Sequence, residues 1–326
     1  MKIAVTGASG HVGCSLIRTL LKEGKHQLRV LQYHDDKALK GLDIEIVKGN
    51  LHHADSLVDF CRGIDVLFHL ASNISIGSDS YQSIYQTNVE GTKNLVRTAQ
   101  KAGIKKLIHF SSIHALIHHP YDVMMDESRA LATDSSIAYE KTKSLAEEWV
   151  LTQNSDDFKV VVINPTSIIG PCDYKPSLMG QMMIRLYNNS LPGLVPGGYD
   201  WVDVRDIVKS AISAIENGRS GERYILSGRW TTIKELSAIL GEVNGVKINK
   251  PIFPLWLARM GVPFISLWAK MMGQQPLYTY ESLKILQSGN KKISFQKAAK
   301  DLGHSPRPLG ETLKDTIDWF KKNKYV

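Results

Sequence analysis

Lys2-Ile3-Ala4-Val5-Thr6-Gly7-Ala8-Ser9-Gly10-His11-Val12-Gly13, followed by the apolar-periodic positions Leu16, Ile17, Leu20 and Leu21, is the stretch on which the reading of this chain turns. It reads as a strand, a tight glycine turn and an amphipathic helix. Glycines permit a turn that side chains would block, and they let backbone N–H groups approach a pyrophosphate. The N-terminus of the following helix adds its partial positive charge. The spacing is G-x-x-G-x-x-G rather than G-x-G-x-x-G, and an ordinary glycine-rich βα turn would look similar. What surrounds the loop therefore decides its meaning.

Working outward, short β-branched runs at 3–5, 28–31, 44–47, 66–70, 107–110 and 160–163 alternate with helix candidates near 13–23, 54–61, 88–102 and 139–153. Strands separated by helices imply βαβ crossovers and a parallel sheet with helices on both faces. Strands buried on both sides carry apolar runs without alternation, as these do. After Pro165 the pattern loosens, and Gly170-Pro171, Pro176, Pro192-Gly193 and Pro196-Gly197-Gly198 punctuate a stretch expected to be rich in loops. A helix near 203–217 and a strand at 222–226 then read as a return to the sheet. From about Thr231 the chain reads as mostly helical, ending in an amphipathic helix over 309–321.

The composition, 43 % apolar and 22 % charged over 326 residues, is that of a globular protein with room for one large domain and a smaller one. The net charge of +8 comes from scattered residues, with a compact cluster only at Lys321, Lys322 and Lys324. It reads as background solubility or a positive cleft, and a nucleic-acid partner is not expected. Cys14, Cys61 and Cys172 lack CxxC spacing, which argues against a disulfide framework or structural zinc and fits a reducing cytoplasm. The opening residues carry no signal-peptide pattern. The most apolar tract, 251–273, is broken by Pro254 and Pro263 and carries Arg259 and Lys270, so no membrane span is expected. It reads either as a lid or core helix or as an amphipathic helix lying on a surface.

The residues at the end of the second strand should select the dinucleotide. A carboxylate there accepts from a ribose 2′-OH, whereas basic side chains favour a 2′-phosphate. The chain has Gln32-Tyr33-His34, with Asp35 and Asp36 slightly later. The missing carboxylate at Gln32, with His34 and Lys37 nearby, tilts the expectation toward NADP(H) and leaves NAD(H) open.

Chemistry enters at Ala138-Tyr139-Glu140-Lys141-Thr142-Lys143, the start of a helix that puts Tyr139 and Lys143 on one face. A free tyrosine titrates near pH ~10, and a neighbouring ammonium is expected to bring it toward working pH. Ser112 ends the fifth strand, at the carboxyl edge where open α/β sheets place their sites. Tyr-x-x-x-Lys by itself occurs on any surface helix; joined to the glycine loop and a strand-end serine it is far more specific, since a hydroxyl beside the phenol would polarise a substrate carbonyl.

With these motifs the chain resembles the extended short-chain dehydrogenase/reductases, or NAD-dependent epimerase/dehydratase family, over nearly its whole length. Residues 6–13 look like that family's cofactor loop, Phe68-His69-Leu70-Ala71 like its fourth-strand motif and Thr87-Asn88-Val89-Glu90-Gly91-Thr92 like the segment carrying its structural asparagine. Pro165 and Gly170-Pro171 match the loop beside the nicotinamide, and Trp201-Val202-Asp203-Val204-Arg205-Asp206 the motif opening the returning helix. Gly221-Glu222-Arg223-Tyr224-Ile225-Leu226-Ser227-Gly228 and Asp318-Trp319-Phe320 are similar to dihydroflavonol-reductase-like and 3β-hydroxysteroid-dehydrogenase-like members. Two departures stand out: Asn50 where the family often has Asp, and Asn164 where it usually has Arg.

The resemblance implies a doubly wound Rossmann sheet (1–169 plus about 201–228) and a smaller, mostly helical substrate-binding domain (about 170–200 plus 229–326). It implies Tyr139 as general acid, Lys143 lowering its pKa and holding the nicotinamide ribose, and Ser112 bonding the carbonyl. The dinucleotide is expected on Thr6, Gly7, Ser9, Gly10, His11, Val12, Gly13, Gln32, Tyr33, His34, Lys37, Asn50, Leu51, Leu70, Ala71, Ser72, Asn88, Tyr139, Lys143, Pro165, Thr166, Ser167 and Ile168. Ser112, His114, Met179 and Met183 are the candidates for substrate contact. His114 reads either as a pocket residue or as a water-exposed loop histidine. The methionines, with Met182, Leu186 and Tyr187, form a stripe that is core or pocket wall, and Trp256, Phe264 and Trp268 carry the same ambiguity. Adjacent pairs His52-His53 and His118-His119 lack ligand spacing, so no metal is expected.

The expected activity is reduction of a ketone or aldehyde, or oxidation of the alcohol, on a moderately apolar small molecule. A nucleotide-sugar epimerase or dehydratase retaining its NAD is the second reading, with Arg185 and Arg205 as anchors for a diphosphate. A dinucleotide-binding regulator is the third. The apolar helices near 88–102 and 139–153 would suit a homodimer.

Overall fold

In the computed structural model, which describes residues 1–33, 37–74, 79–271 and 279–326 apart from the side chains of 265–270 and 288, strand β1 (Lys2–Thr6) turns at Gly7 into helix α1 (His11–Glu23). There follow β2 (Gln27–Gln32), β3 (Glu45–Lys48), α2 (Asp55–Cys61), β4 (Val66–His69), α3 (Tyr81–Tyr85), a π-helical turn (Gln86–Glu90) and α4 (Gly91–Lys101). Then come β5 (Lys106–Phe110), a 3-10 turn (Ile113–Ala115), α5 (Ala138–Thr152), β6 (Lys159–Pro165), β7 (Ser167–Ile169), α6 (Leu178–Tyr187), β8 (Gly198–Asp203) and α7 (Val204–Asn217). The chain continues through β9 (Glu222–Leu226), β10 (Arg229–Thr232), α8 (Ile233–Asn244), α9 (Leu255–Met271), α10 (Tyr280–Ser288), α11 (Gln296–Leu302) and α12 (Leu309–Lys322).

Seven strands form one parallel sheet in the order β3-β2-β1-β4-β5-β6-β9, so the order reverses between β1 and β4. A crevice opens there beyond the carboxyl ends of the strands, the position at which open α/β sheets receive ligands. The sequence explains both faces. Ile3, Val5, Val66, Phe68, Ile108, Phe110, Val161 and Ile163 point to one side, against α1, α7 and α11. Their neighbours Ala4, Leu67, Leu107, Val160 and Val162 point to the other, against α2, α4 and α5. Successive strand residues alternate faces, so a continuous apolar run is what a doubly covered sheet requires. The return strand read at 222–226 is β9, paired with β6 as Ile163↔Tyr224.

The stretch read as loop-rich contains more order than expected. β7 and β8 pair in parallel and β8 pairs antiparallel with β10, making a second, three-stranded sheet. β8 (Gly198-Tyr199-Asp200-Trp201-Val202-Asp203) starts at the Pro196-Gly197-Gly198 punctuation of that stretch and carries buried aspartates. Each is satisfied: Asp200 accepts from Thr166 Oγ1 at 2.7 Å and from the Gly228 amide at 2.7 Å, and Asp203 caps α7 through the Arg205 amide at 2.8 Å.

A third core lies under α6, α8 and α12, with Leu186, Leu236, Leu240, Leu313, Ile317 and Phe320. Met183 belongs to it at 0 % exposure, and Met179 packs half-buried against it. This corrects the substrate assignment of Met183: its side chain is spent inside the packing of α6. The apolar tract forms α9, with Pro263 inside it; Leu255, Ala258 and Val262 pack inward while Trp256, Met260 and Phe264 stay exposed, the last at 76 %. It is thus a surface-lying helix. Trp268 and His34 fall outside the described side chains and residues. Among the described residues, no helix is long and apolar enough to cross a membrane.

Candidate active site

The glycine loop is shaped by contacts that only hydrogen allows. Gly7 takes φ +68°, and a Cβ there would lie 2.6 Å from the Ala71 amide nitrogen at the end of β4. A Cβ on Gly13 would lie 2.1 Å from the Gly7 carbonyl oxygen. Gly10, at φ −69°, starts α1 with no side-chain cap, leaving the first-turn amides directed past the end of β1. An uncapped helix start at the topological switch point, with backbone free to approach closely, fits a dinucleotide pyrophosphate. His11 spans instead to the second half of the chain, its Nε2 hydrogen-bonded to the carbonyls of Gly170 (3.1 Å) and Pro171 (3.0 Å). Val12 packs on the core and Ser9 is half-buried.

From the loop, a chain of hydrogen bonds crosses to α5. Thr6 Oγ1 pairs with His69 Nδ1 at 2.7 Å and accepts from the Ala71 amide at 3.2 Å. His69 Nε2 pairs with Thr92 Oγ1 at 2.9 Å, and Thr92 donates to the Asn88 carbonyl at 2.6 Å. Asn88, buried in the π-helical turn, donates to Thr142 Oγ1 at 3.2 Å. Its side-chain oxygen accepts from Ser72 Oγ at 3.0 Å and the Asn73 amide at 2.7 Å, which pins the loop beyond Leu70 and Ala71. Burial pushes His69 down to about 3, with Lys143 adding to the effect, so this histidine is a neutral strut.

The three residues singled out for chemistry meet at the carboxyl end of β5. Ser112 starts the 3-10 turn and accepts from the His114 amide at 3.2 Å. Tyr139, at 7 % exposure, lies close enough to Ser112 for that side chain to act on its phenol. Lys143 is buried and donates to the Phe110 carbonyl at 2.7 Å. Burial pushes its ammonium down to about 8, opposed by the charge of Glu147. The expectation that Lys143 lowers Tyr139 is not met in this arrangement. Burial pushes the phenol up, the nearby Ser112 side chain opposes that, and the ammonium is directed at Phe110. At neutral pH Tyr139 therefore holds its proton beside a serine hydroxyl, which makes it a proton donor for an oxygen lodged against both.

His114 is half-buried rather than water-exposed. Its ring stacks on His118 with centroids 5.3 Å apart, meets Tyr139 edge-on at 6.5 Å, and places Nδ1 3.7 Å from Glu140 Oε1. Burial pushes both histidines down to about 4. They line a small cavity with Ile113, Tyr199, Trp230 and Ile293. Met179 and Met183 are not among its walls.

The residues expected around the adenosine are more loosely held. Gln32 ends β2 and its carbonyl accepts from the Gly49 amide at 3.0 Å; Tyr33 is 64 % exposed and Lys37 is exposed. Asn50 uses its side-chain oxygen to accept from the His52 amide at 2.9 Å, and Leu51 is buried against Gly91. On the opposite side, Pro165, Thr166, Ser167 and Ile168 are held in β6 and β7, with Thr166 tied to Asp200. Cys172 has its thiol pushed up by a hydrogen bond with Cys14 and by burial, so no thiolate forms there.

Residue-by-residue reading missed Glu147, Asn164 in its actual role, and Arg223. Glu147 follows Lys143 by one helical turn, a spacing visible in the sequence; Arg223 comes from a distant strand and gave no signal. Arg205, weighed as a diphosphate anchor, is engaged with Asp203 (2.7 Å) and Asp315 (2.6 Å).

Residues 4–216 match the model of the 3-beta hydroxysteroid dehydrogenase/isomerase family. The chain is 30 % identical over 330 residues to sterol demethylase protein B of Methylococcus capsulatus, covering all of both chains. It is 30 % identical to a Synechocystis protein named as a dihydroflavonol 4-reductase, over 99 % of this chain and 95 % of that one. The crystal structure of gox2253 superimposes with a TM-score of 0.84 at 31 % identity, covering 98 % of each chain. The chain therefore belongs to the 3-beta hydroxysteroid dehydrogenase/isomerase family and is an NAD(P)-dependent oxidoreductase of the extended short-chain dehydrogenase/reductase type.

Proposed function

We propose that this enzyme interconverts a ketone or aldehyde with its alcohol on an apolar, ring-bearing small molecule, with Ser112, Tyr139 and Lys143 as the reacting and positioning groups. The observation that carries the reading is the buried Tyr139 side chain standing with Ser112 at the carboxyl edge of the sheet, its phenol pushed up by burial. Ser112 orients the carbonyl oxygen, and Tyr139 gives that oxygen its proton in the reducing direction. The bound dinucleotide supplies the hydride from nicotinamide C4. Gly7, Gly10 and Gly13 with the α1 amides would hold the pyrophosphate, Lys143 the nicotinamide ribose, and 165–168 the wall behind the ring. Residues 1–169 and about 201–228 form the cofactor-binding part, and the remainder shapes the substrate pocket. Gln32, which lacks a carboxylate for a ribose 2′-OH, supports NADP(H) over NAD(H).

Apolar substrate chemistry is supported by the cavity walls Ile113, Tyr199, Trp230 and Ile293, and by the sterol and dihydroflavonol in the names of the two relatives. The engagement of Arg205 with two aspartates counts against a nucleotide-sugar substrate. The test is to record the absorbance of the purified protein for retained cofactor, then follow NADPH and NADH oxidation against a panel of aldehydes and ketones. The expected result is net NADPH consumption with ring-bearing carbonyls. Tightly retained NAD without net consumption overturns the reading.

A further inference from the structure

Beneath the Ser112–Tyr139–Lys143 face lies a carboxylate to which the proposed reaction gives no role. Glu147 stands one turn beyond Lys143 on α5, on the same helical face, and is 0 % exposed. A buried carboxylate carries a desolvation penalty of several kcal/mol that an apolar side chain in the same space would not. Two groups meet it. Arg223 Nε, from β9, is 3.0 Å from Oε1, and Asn164 Nδ2, from β6, donates to Oε2 at 2.7 Å. The same Asn164 Nδ2 donates to the Ser112 carbonyl at 3.0 Å, so the carboxylate reaches the proposed site through a single amide.

We propose that Glu147, clamped by Arg223 and Asn164, is a positioning residue of this site: it fixes the Ser112 backbone through Asn164 and is the counter-charge of Lys143. The proposal rests on the reductase reading above. The groups facing Lys143 are Tyr139 and Glu147 from α5, His69 from β4, and His109 with the Phe110 carbonyl from β5. Burial keeps both histidines neutral, so the negative charge acting on the ammonium is that of Glu147. Arg223 in turn opposes the burial that pushes Glu147 up. Removing the carboxylate lowers Lys143, and removing Arg223 does the same by letting Glu147 take up a proton.

The pH profile of kcat/KM and a 13Cε-lysine titration of Lys143, assigned by its loss in Lys143→Arg, test this together. Glu147→Gln is expected to move the alkaline limb and the Lys143 midpoint down by about one unit, with roughly fivefold less kcat/KM near pH 8. Arg223→Gln moves both in the same direction by less, Arg223→Lys restores them, and the Glu147→Gln/Arg223→Gln double variant is no worse than Glu147→Gln alone. An unmoved Lys143 midpoint, with activity that only follows the folded fraction, overturns the proposal. If Glu147→Gln does not fold, the contrast between Arg223→Gln and Arg223→Lys decides. A wild-type enzyme with no hydride transfer to any carbonyl overturns the reductase reading instead, and the lysine titration still decides the pairing.

Discussion

The glycine cradle and the Ser112–Tyr139–Lys143 face sit on one edge of one sheet and are made of different materials. The cradle is backbone: its shape depends on missing Cβ atoms at Gly7 and Gly13, within 3 Å of other main chain. The face is side chain, with a phenol and an ammonium held out of water and a carboxylate behind them. The first can fail only by steric collision, which is local. The second depends on charge, and so on every group the fold brings near.

Substitutions separate the two kinds of construction. Tyr139→Phe removes the proton donor and little else, so kcat should fall by about 10³-fold while dinucleotide affinity, read by fluorescence titration, stays within about twofold. A parallel loss of binding would show that the tyrosine belongs to the cradle. Gly13→Ala should do the reverse, because the new Cβ meets the Gly7 carbonyl. We expect roughly 100-fold weaker dinucleotide binding and about 1–3 kcal/mol less stability in urea. Unchanged binding would mean that α1 can shift without cost.

A smaller effect comes from solvent pH. In the proposed mechanism Lys143 works as the ammonium, which burial pushes down to about 8. The kcat/KM profile of the wild type should therefore fall above pH 8, approaching about tenfold per unit. A flat profile to pH 10 would place the charge elsewhere. Smallest of all is Gly10→Ala: its φ of −69° suits any residue, and the nearest atom to a Cβ is the Gly7 oxygen at 3.3 Å. The melting temperature should move by no more than a few degrees, which a thermal scan reads directly. A severalfold loss of affinity with unmoved stability would identify Gly10 as the glycine that faces the ligand.

The same contrast explains what could be read from the chain alone. β1 to β6, the strand at 222–226 and the cradle were legible because periodicity and glycine spacing are local. Ser112, Tyr139 and Lys143 were legible because two share a helical face and the third ends a strand. β8 was not, since Pro196-Gly197-Gly198 marks its start as loop and the partners that let Asp200 and Asp203 be buried come from Thr166, Gly228 and Arg205. Met183 misled because a methionine stripe on a helix has the same spacing whether it meets a core or a ligand. The direction of the Tyr139 shift was unreadable for a further reason: it follows from the burial of the phenol, which only the packed fold decides.

The pairing of Glu147 with Arg223 has a consequence for how the chain matures on the ribosome. A buried carboxylate stranded without its guanidinium is strongly unfavourable. Until β9 has left the exit tunnel and added itself beside β6, Glu147 is without its guanidinium and its carboxyl is biased toward the protonated form. Until then a nascent chain already holding Ser112, Tyr139 and Lys143 presents an open, hydrogen-bonding strand edge at β6. The interval of synthesis between α5 and Arg223 is therefore one in which β6 has only β5 as a partner.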